Sequence, residues 1–211
     1  MARMVRGFDV DAAHAHLRKR DRALAKWLRK VEAVEAPDRW KQRFDVTDAL
    51  ARAILFQQLS GKAASTIVGR VERAIASKLL HAEAFARADD AALRACGVSG
   101  NKLLALRDLS ARAQRGEIPS TAQIARMRDE EIIAALSAVR GIGAWTVQMM
   151  LMFRLGRPDV LPIDDLGIRK GAQKVFETKA LPSPAAIIKR AEAWRPWRSI
   201  GSWYLWRSLD T

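Results

Sequence analysis

The sequence predicts an all-α protein of about ten helices, and three observations lead to this fold class. Apolar residues recur at helical spacing along most of the chain. No segment alternates apolar and polar residues as a half-buried strand does. Glycines, prolines and capping side chains fall between the periodic segments. We expect one domain over residues 1–211, built as two packed helical lobes with a cleft between them.

The helices of the first half are marked by caps and breaks. Asp45 and Asp48 offer capping side chains before an apolar segment, and Ser60–Gly61 separates that segment from the next. Gly97 and Gly116 end later segments. The expected helices are 11–31, 50–59, 62–80, one or two within 82–95, and 102–114.

The second half continues the pattern. Pro119 and Ser120 start a new segment, and Asp129–Glu131 places acids at a helix start, where the dipole favours negative charge. A turn containing Gly141 and Gly143 interrupts two apolar helices. The expected helices are 132–139, 144–155, 166–176, 184–193 and 196–209.

Positive charge is the strongest compositional signal. Lys and Arg total 37 against 23 acids, giving a net charge of +14. A field of this sign attracts phosphate polymers, so nucleic acid is a candidate partner. An arginine-rich, solvated helical surface is the alternative.

Several classes of site and location are disfavoured. One cysteine, Cys96, excludes a disulfide within the chain and a four-cysteine zinc or iron–sulfur site. His14, His16 and His81 lack metal-ligand spacing. No apolar run approaches the roughly 20 residues that span a bilayer, and the N-terminus lacks the apolar core of a signal peptide. We therefore expect a cytoplasmic protein with no membrane association.

The segment Val139–Thr146 reads Val-Arg-Gly-Ile-Gly-Ala-Trp-Thr. Glycine takes positive φ and allows another molecule to approach the backbone closely. A tight turn that leads into a helix aims N–H groups outward, which suits a DNA phosphate, and Ile142 is expected to anchor the turn against the protein body. The alternative is an ordinary turn between two helices with a glycine C-cap.

This segment resembles the helix-hairpin-helix element of DNA glycosylases. About twenty residues later, Asp165-Leu-Gly-Ile-Arg-Lys is similar to the helix start that carries the catalytic aspartate of that superfamily. Segments 53–60, 97–109 and 194–199, followed by Trp206, resemble its alkyladenine branch, so the resemblance covers roughly residues 46–209. It implies a compact member without the β-rich N-terminal domain, with the hairpin at the junction of the lobes. Arg140 stands where many relatives have proline.

The resemblance implies that Asp165 is catalytic. Cleavage of an N-glycosidic bond builds positive charge on the sugar, and a nearby carboxylate stabilises that charge. Asp164 is the competitor, since either aspartate can cap the helix. The family motif has an apolar residue three positions after the catalytic aspartate, and Ile168 selects Asp165. Asp164 is then expected to be the cap or a support of the hairpin.

Trp145 bears on the chemistry. In relatives that also cleave the DNA backbone, a Schiff-base lysine lies two residues after the second hairpin glycine, and here that residue is Trp145. The resemblance therefore implies hydrolysis by water that leaves an abasic site.

Tryptophans are the expected base contacts. The chain has seven tryptophans and one tyrosine, and indole rings stack on an extruded base and attract a cationic one. By resemblance, Trp206 stacks on the base and Trp145 lines the pocket. We expect Trp194, Trp197 and Trp203 to fill the core instead.

The remaining candidates contact DNA. By resemblance, Gln58 fills the gap left by the extruded base, with the adjacent Leu59 as the other candidate wedge. Lys62, Lys102 and Thr146 are candidate phosphate contacts, with exposed solvated cations as the alternative reading of the lysines.

We therefore expect a monomeric base-excision-repair glycosylase that flips alkylated bases, such as 3-methyladenine and 7-methylguanine, out of double-stranded DNA. Alternatives are a glycosylase for deaminated bases (uracil or hypoxanthine) and a non-catalytic helix-hairpin-helix DNA-binding module. No organic cofactor is expected. The resemblance also implies that a monovalent cation can bind the backbone carbonyls of residues 139–143.

Overall fold

The computed structural model describes residues 6–210, so both ends of the predicted 1–211 domain lie outside the described residues. The described chain is helical and contains no strand, which confirms the all-α prediction. Thirteen α-helices occur in it: α1 (Val10–Arg20), α2 (Arg22–Leu28), α3 (Val46–Phe56), α4 (Gly61–Ala74), α5 (Ala82–Arg87), α6 (Asp90–Ala95), α7 (Gly100–Gln114), α8 (Thr121–Ile124), α9 (Asp129–Ser137), α10 (Ala144–Met150), α11 (Leu166–Val175), α12 (Pro184–Ala191) and α13 (Arg198–Arg207).

Capping explains why the helices outnumber the ten expected. The predicted helix 11–31 is divided at Asp21, whose carboxylate accepts hydrogen bonds from the N–H groups of Ala23 and Leu24 and so starts α2. The segment 82–95 forms two short helices because Asp89 caps a second start. A side chain that caps inside a periodic segment thus creates a boundary that periodicity alone misses.

Two other helices end earlier than predicted. α3 ends at Phe56 rather than at residue 59, and residues 57–60 connect it to α4. α4 ends at Ala74, and Ala76 adopts a positive φ of 51° shortly afterwards. The predicted helix 144–155 is α10 followed by a π-helical turn, Leu151–Leu155, which ends at Gly156 in the left-handed conformation.

The described chain divides into two compact units. The hairpin unit comprises residues 43–147. In it, α7 packs against α3 and α5, and its fully buried Leu106 and Leu109 lie in the same core as Leu50 and Ile54 of α3. This core supports residues 57–60 and the turn at residues 139–143.

The Asp165 unit comprises residues 6–42 and 148–210, and its centre is the packing of α11 on α13. The close approach depends on Gly171, where an added Cβ would lie 2.1 Å from the carbonyl oxygen of Leu205. Trp194 and Ile200 are fully buried in the core of this unit. The α11–α13 contact brings the start of α11 and the end of α13 together.

None of the helices in residues 6–210 has the length and apolar character that a bilayer span requires.

Candidate functional site

The hairpin, residues 139–143, is built from two buried apolar residues and an exposed glycine backbone. Val139 and Ile142 are almost fully buried, and the Ile142 N–H donates to the Val139 carbonyl across 3.0 Å. Gly141 lies at the exposed tip with a φ of +76°, a conformation that glycine adopts without steric cost. Ile142 anchors the turn, as the sequence predicts, while the backbone at Gly141 faces outward.

Gly143 begins the helix that follows. The first intrahelical bond of α10 runs from the Val147 N–H to the Gly143 carbonyl at 3.3 Å, so the N–H groups ahead of Val147 lie outside the ladder of that helix. A Cβ placed on Gly143 would meet no heavy atom of the chain within 4 Å. Within residues 6–210, no contact excludes a side chain at this position, which fits a close approach from outside.

Two side chains hold the hairpin backbone from the protein side. Asp108 Oδ2 on α7 accepts the Arg140 N–H at 2.7 Å and pairs with Arg112 at 3.0 Å. Burial raises the pKa of Asp108, but these two partners outweigh it and leave that pKa below its usual value. Gln57 Nε2 donates to the Gly141 carbonyl at 2.8 Å.

The wedge segment, residues 57–60, contains the residues predicted to enter the DNA stack. Gln58 has a φ of +55°, which is uncommon for a residue with a side chain. Gln58 is exposed, and Leu59 exposes 40% of its surface. Ser60 caps α4 through its hydroxyl and the Ala63 N–H at 3.3 Å. The segment is therefore a short, exposed turn fixed at both ends by helices.

The predicted phosphate contacts have different surroundings. Lys62 is exposed on the first turn of α4. Thr146 is partly buried on α10. Lys102 Nζ on α7 donates to the Leu55 carbonyl near the end of α3 at 2.8 Å, and burial lowers the pKa of its ammonium.

Asp165 begins α11 as its N-cap. Its Oδ1 atom accepts the Ile168 N–H at 3.0 Å and also the Trp206 indole N–H at 3.0 Å. Asp164 is predicted to be the cap or a support of the hairpin. The prediction of a cap is wrong, because the carboxylate of Asp165 makes the capping bond and Asp164 is exposed. The two donors fix the orientation of the Asp165 carboxylate.

Gly167 is a site residue that the sequence reasoning missed. An added Cβ would lie 2.8 Å from Asp165 Oδ1 and 2.9 Å from Trp206 Cδ1. Because these separations are too short for a carbon atom, the indole can lie against this helix turn only if residue 167 is glycine. A glycine in the first turn of a helix, where alanine is intrinsically better, is the signal that would have identified it.

Aromatic rings surround Trp206 in the Asp165 unit. Phe153, on the π-helical turn, lies 6.1 Å from Trp206 between ring centroids and contacts Trp203 edge-on at 5.0 Å. Trp194 is fully buried and donates to Asp21 Oδ2 at 2.9 Å, as expected of a core residue. A carboxylate beside electron-rich rings is suited to stabilising positive charge.

Trp145 lies on the first turn of α10 in the hairpin unit and exposes 49% of its surface. Trp145 therefore offers a large, accessible indole face at the start of α10. In residues 6–210, no group of three or more His, Cys, Asp or Glu side chains is arranged to hold a metal ion.

Comparison with known proteins identifies a family and several relatives. The profile of the family described as HhH-GPD superfamily base excision DNA repair protein matches residues 51–196. DNA-3-methyladenine glycosylase 1 of Schizosaccharomyces pombe is 34% identical over 185 residues, which cover 86% of this chain and 81% of that protein. DNA-3-methyladenine glycosylase 2 of Escherichia coli is 28% identical over 171 residues, 77% of this chain and 57% of that protein.

Two solved structures are similar at more than 30% identity. A DNA-3-methyladenine glycosidase from Bacillus halodurans has a TM-score of 0.85 and 31% identity, covering 97% of this chain and 92% of that one. The S. pombe 3-methyladenine DNA glycosylase in complex with abasic DNA has a TM-score of 0.79 and 32% identity, covering 95% of this chain and 97% of that one.

Proposed function

The chain belongs to the HhH-GPD superfamily of base excision DNA repair proteins, and on that premise we propose that it hydrolyses the N-glycosidic bond of alkylated bases in DNA. The observation that carries the proposal is the contact between the Trp206 indole and the Asp165 carboxylate, 3.0 Å from nitrogen to oxygen. It joins a charge-stabilising group and an aromatic surface at one place.

The chemistry follows from the charge that develops during bond cleavage. As the base leaves, the sugar acquires oxocarbenium character, and a carboxylate held nearby stabilises it and can position water. In this proposal Asp165 supplies that carboxylate. Because the Ile168 and Trp206 N–H groups fix its orientation, little reorganisation is needed in the transition state.

The proposed lesions are bases that carry positive charge, such as 3-methyladenine and 7-methylguanine. Methylation at a ring nitrogen makes the base cationic and a good leaving group, so little acid catalysis is needed. Indole rings attract such a base through their quadrupole, and Trp206 and Trp145 are the proposed pocket residues. The relatives named 3-methyladenine glycosylases support this lesion class.

Hydrolysis without backbone cleavage is the proposed outcome. With Trp145 at the position of the Schiff-base lysine, this turn provides no amine nucleophile there. Water then attacks the sugar, and an abasic site remains.

The proposed DNA grip is the hairpin with its neighbours. The N–H groups around Gly141 and Gly143 bind a phosphate of double-stranded DNA, and Lys62 and Thr146 contact adjacent phosphates. Lys102 remains a proposed phosphate contact, although its ammonium already donates to Leu55. Gln58 or Leu59 fills the gap that the extruded base leaves.

The proposal includes no organic cofactor. A monovalent cation on the carbonyls of residues 139–143 fits the donor type, since neutral carbonyl oxygens suit hard cations. The Val139 and Gly141 carbonyls each also accept a hydrogen bond. Bound there, the cation would add positive charge beside the phosphate site. A monomeric, cytoplasmic enzyme completes the proposal.

The test is release of 3-methyladenine and 7-methylguanine from methylated duplex DNA. Asp165→Asn keeps a capping side chain and removes the charge, so we expect normal folding and a rate at least ~100-fold lower. Asp164→Asn, one residue away and exposed, is the matched control and should release base at the wild-type rate.

Three results would redirect the proposal. Undiminished release by Asp165→Asn would remove the catalytic assignment. Release of uracil or hypoxanthine in place of alkylated bases would move the protein to the deaminated-base class. Binding to lesion DNA without release of any base would indicate a non-catalytic DNA-binding module.

A further inference from the structure

We propose that Gln57 is a positioning residue that couples the wedge segment to the hairpin, with α7 bracing both, so that the wedge segment is already ordered when the hairpin grips the DNA backbone. This inference rests on the proposed function. It concerns Gln57, the neighbour of the expected wedge residue.

One side of α7 touches both elements. Lys102, Ala105 and Asp108 are spaced three residues apart and therefore lie along one side of the helix. Lys102 donates to the Leu55 carbonyl just before the wedge segment, and Asp108 accepts the Arg140 N–H in the hairpin. A Cβ on Gly141 would lie 3.6 Å from the Cβ of Ala105, so Ala105 lies directly beneath the hairpin tip.

Gln57 closes the arrangement. Its side chain crosses from the first residue after α3 to the Gly141 carbonyl, and the N–O distance of 2.8 Å is that of a good hydrogen bond. The wedge segment and the hairpin are 84 residues apart in sequence. Their tips are therefore joined directly as well as through α7.

The wedge segment requires such support. Gln58 holds a positive φ of 55° without being glycine, and conformations of this kind persist only where the surroundings impose them. Leu59 next to it exposes 40% of its surface, so burial in the core does not fix this segment. The capping bond of Ser60 fixes one side of the turn, and the Gln57 bond to Gly141 fixes the other.

The Gln57 bond determines whether the wedge segment is ordered before it meets DNA or only as it enters the stack. A wedge segment already fixed against the hairpin loses little further freedom when its side chain enters the DNA stack. Without the Gln57 bond, the segment would have to be ordered upon insertion. Gln57 should therefore affect binding to DNA with a gap in the stack and leave binding to intact duplex nearly unchanged.

The experiment replaces the donor without shortening the side chain greatly. Gln57→Leu removes the amide. Affinity is measured for an intact duplex and for the same duplex with a tetrahydrofuran abasic site. A 2-aminopurine beside that site reports unstacking through its fluorescence. We expect affinity for the abasic duplex to fall about fivefold, with affinity for the intact duplex unchanged. Gln173→Leu, which removes another glutamine-to-carbonyl bond in the Asp165 unit, is the matched control.

A double-mutant cycle separates coupling from general structural damage. If Gln57 acts through the wedge segment, Gln57→Leu should have little further effect on abasic-site binding in a background that lacks both candidate wedge side chains, Gln58→Ala with Leu59→Ala. Equal weakening on both duplexes, or full additivity in the cycle, would overturn the coupling. A wild-type preference for the abasic duplex that survives Gln57→Leu would overturn the coupling alone. A wild-type protein without that preference would overturn the coupling, whereas a wild-type protein that releases no base would overturn the proposed function.

Discussion

Two glycines next to helix starts, Gly143 before α10 and Gly167 in α11, lack a side chain for different reasons. At Gly167 an added carbon would collide with the Asp165 carboxylate and with Trp206. At Gly143 it would enter open space. No contact within residues 6–210 requires glycine at position 143. At position 167, Asp165 and Trp206 leave no room for a side chain.

This difference separates the two parts of the proposed activity. In the Asp165 unit, contacts within the protein already position the Asp165 carboxylate. The packing of α11 on α13 and the absence of a side chain at Gly167 let the Trp206 indole reach it. The hairpin unit presents an exposed backbone at Gly141 and Gly143, with open space where a side chain of residue 143 would lie. Substitutions at the two glycines should therefore affect different measurements.

The largest effect is expected for Gly167→Ala. The added methyl group pushes apart the Asp165 carboxylate and the Trp206 ring, and a displacement of this size at a reacting centre reduces the rate about 100-fold. Single-turnover base release measures this, and affinity for lesion DNA should change much less. Equal losses in rate and in affinity would show that Gly167 serves binding as well.

Gly143→Ala should show the opposite pattern. The methyl group keeps a phosphate from the backbone, and losing one or two charge-assisted hydrogen bonds of about 2 kcal/mol in total weakens DNA binding about thirtyfold. The free energy of unfolding should change by less than about 1 kcal/mol, because the new side chain contacts no atom of residues 6–210. A large loss of stability with unchanged affinity would contradict an external role for this glycine.

Trp206→Phe tests the indole N–H separately from the ring. Phenylalanine retains an aromatic surface beside Phe153 but removes the donor to Asp165. We expect base release to slow about tenfold, because the carboxylate loses a hydrogen bond that orients it. Trp203→Phe, which changes another indole against Phe153, is the control and should leave the rate near the wild-type value. A Trp206→Phe rate equal to wild type would assign Trp206 to ring contacts alone.

The smallest expected effect is a difference in acid sensitivity. Burial and then Arg18 lower the pKa of His14, against a smaller opposing contribution from Asp11, and Nε2 of this histidine lies 2.9 Å from the Tyr204 hydroxyl. As the pH falls, His14 is therefore protonated in the unfolded chain before it is protonated in the folded protein. The contribution of His14 to stability is complete above about pH 6.5 and declines below that pH.

The hairpin unit contains Asp108, whose pKa is lowered in the folded protein. The stability that Asp108 contributes is therefore lost only as the pH falls below about 3.8. Denaturant unfolding from pH 7.5 to pH 4.5 should show the decline attributed to His14, and His14→Gln should flatten it. An unchanged slope in that variant would assign the decline to other groups.

The sequence predicted the helical class, the position of the hairpin and the identity of its anchor Ile142, because each is local. Apolar periodicity fixes helices, and two glycines one residue apart fix a tight turn. Helix ends were less accurate, since Asp21 and Asp89 cap inside segments whose apolar pattern continues.

The missed features are contacts between distant parts of the chain. Gln57 meets Gly141 84 residues away, and Asp108 meets Arg140 32 residues away. The choice of cap was missed because Asp164 and Asp165 are chemically identical, and only the φ and ψ angles of the folded chain separate them. The role of Gly167 depends on a ring 39 positions later in the sequence, so a glycine in the first turn of a helix marks the position but does not reveal its partner.

Asp165 is both a helix cap and the proposed catalytic carboxylate, and this double role has a consequence for the abundance of inactive variants. A change to Asn, Ser or Thr preserves capping and therefore escapes the quality control that removes unfolded chains. On the proposed function, such a chain would be abundant and inactive, and it would occupy lesions that the active enzyme needs. We therefore expect changes of this kind at Asp165 to remove activity and leave the amount of protein unchanged, whereas changes that disrupt the core lower both.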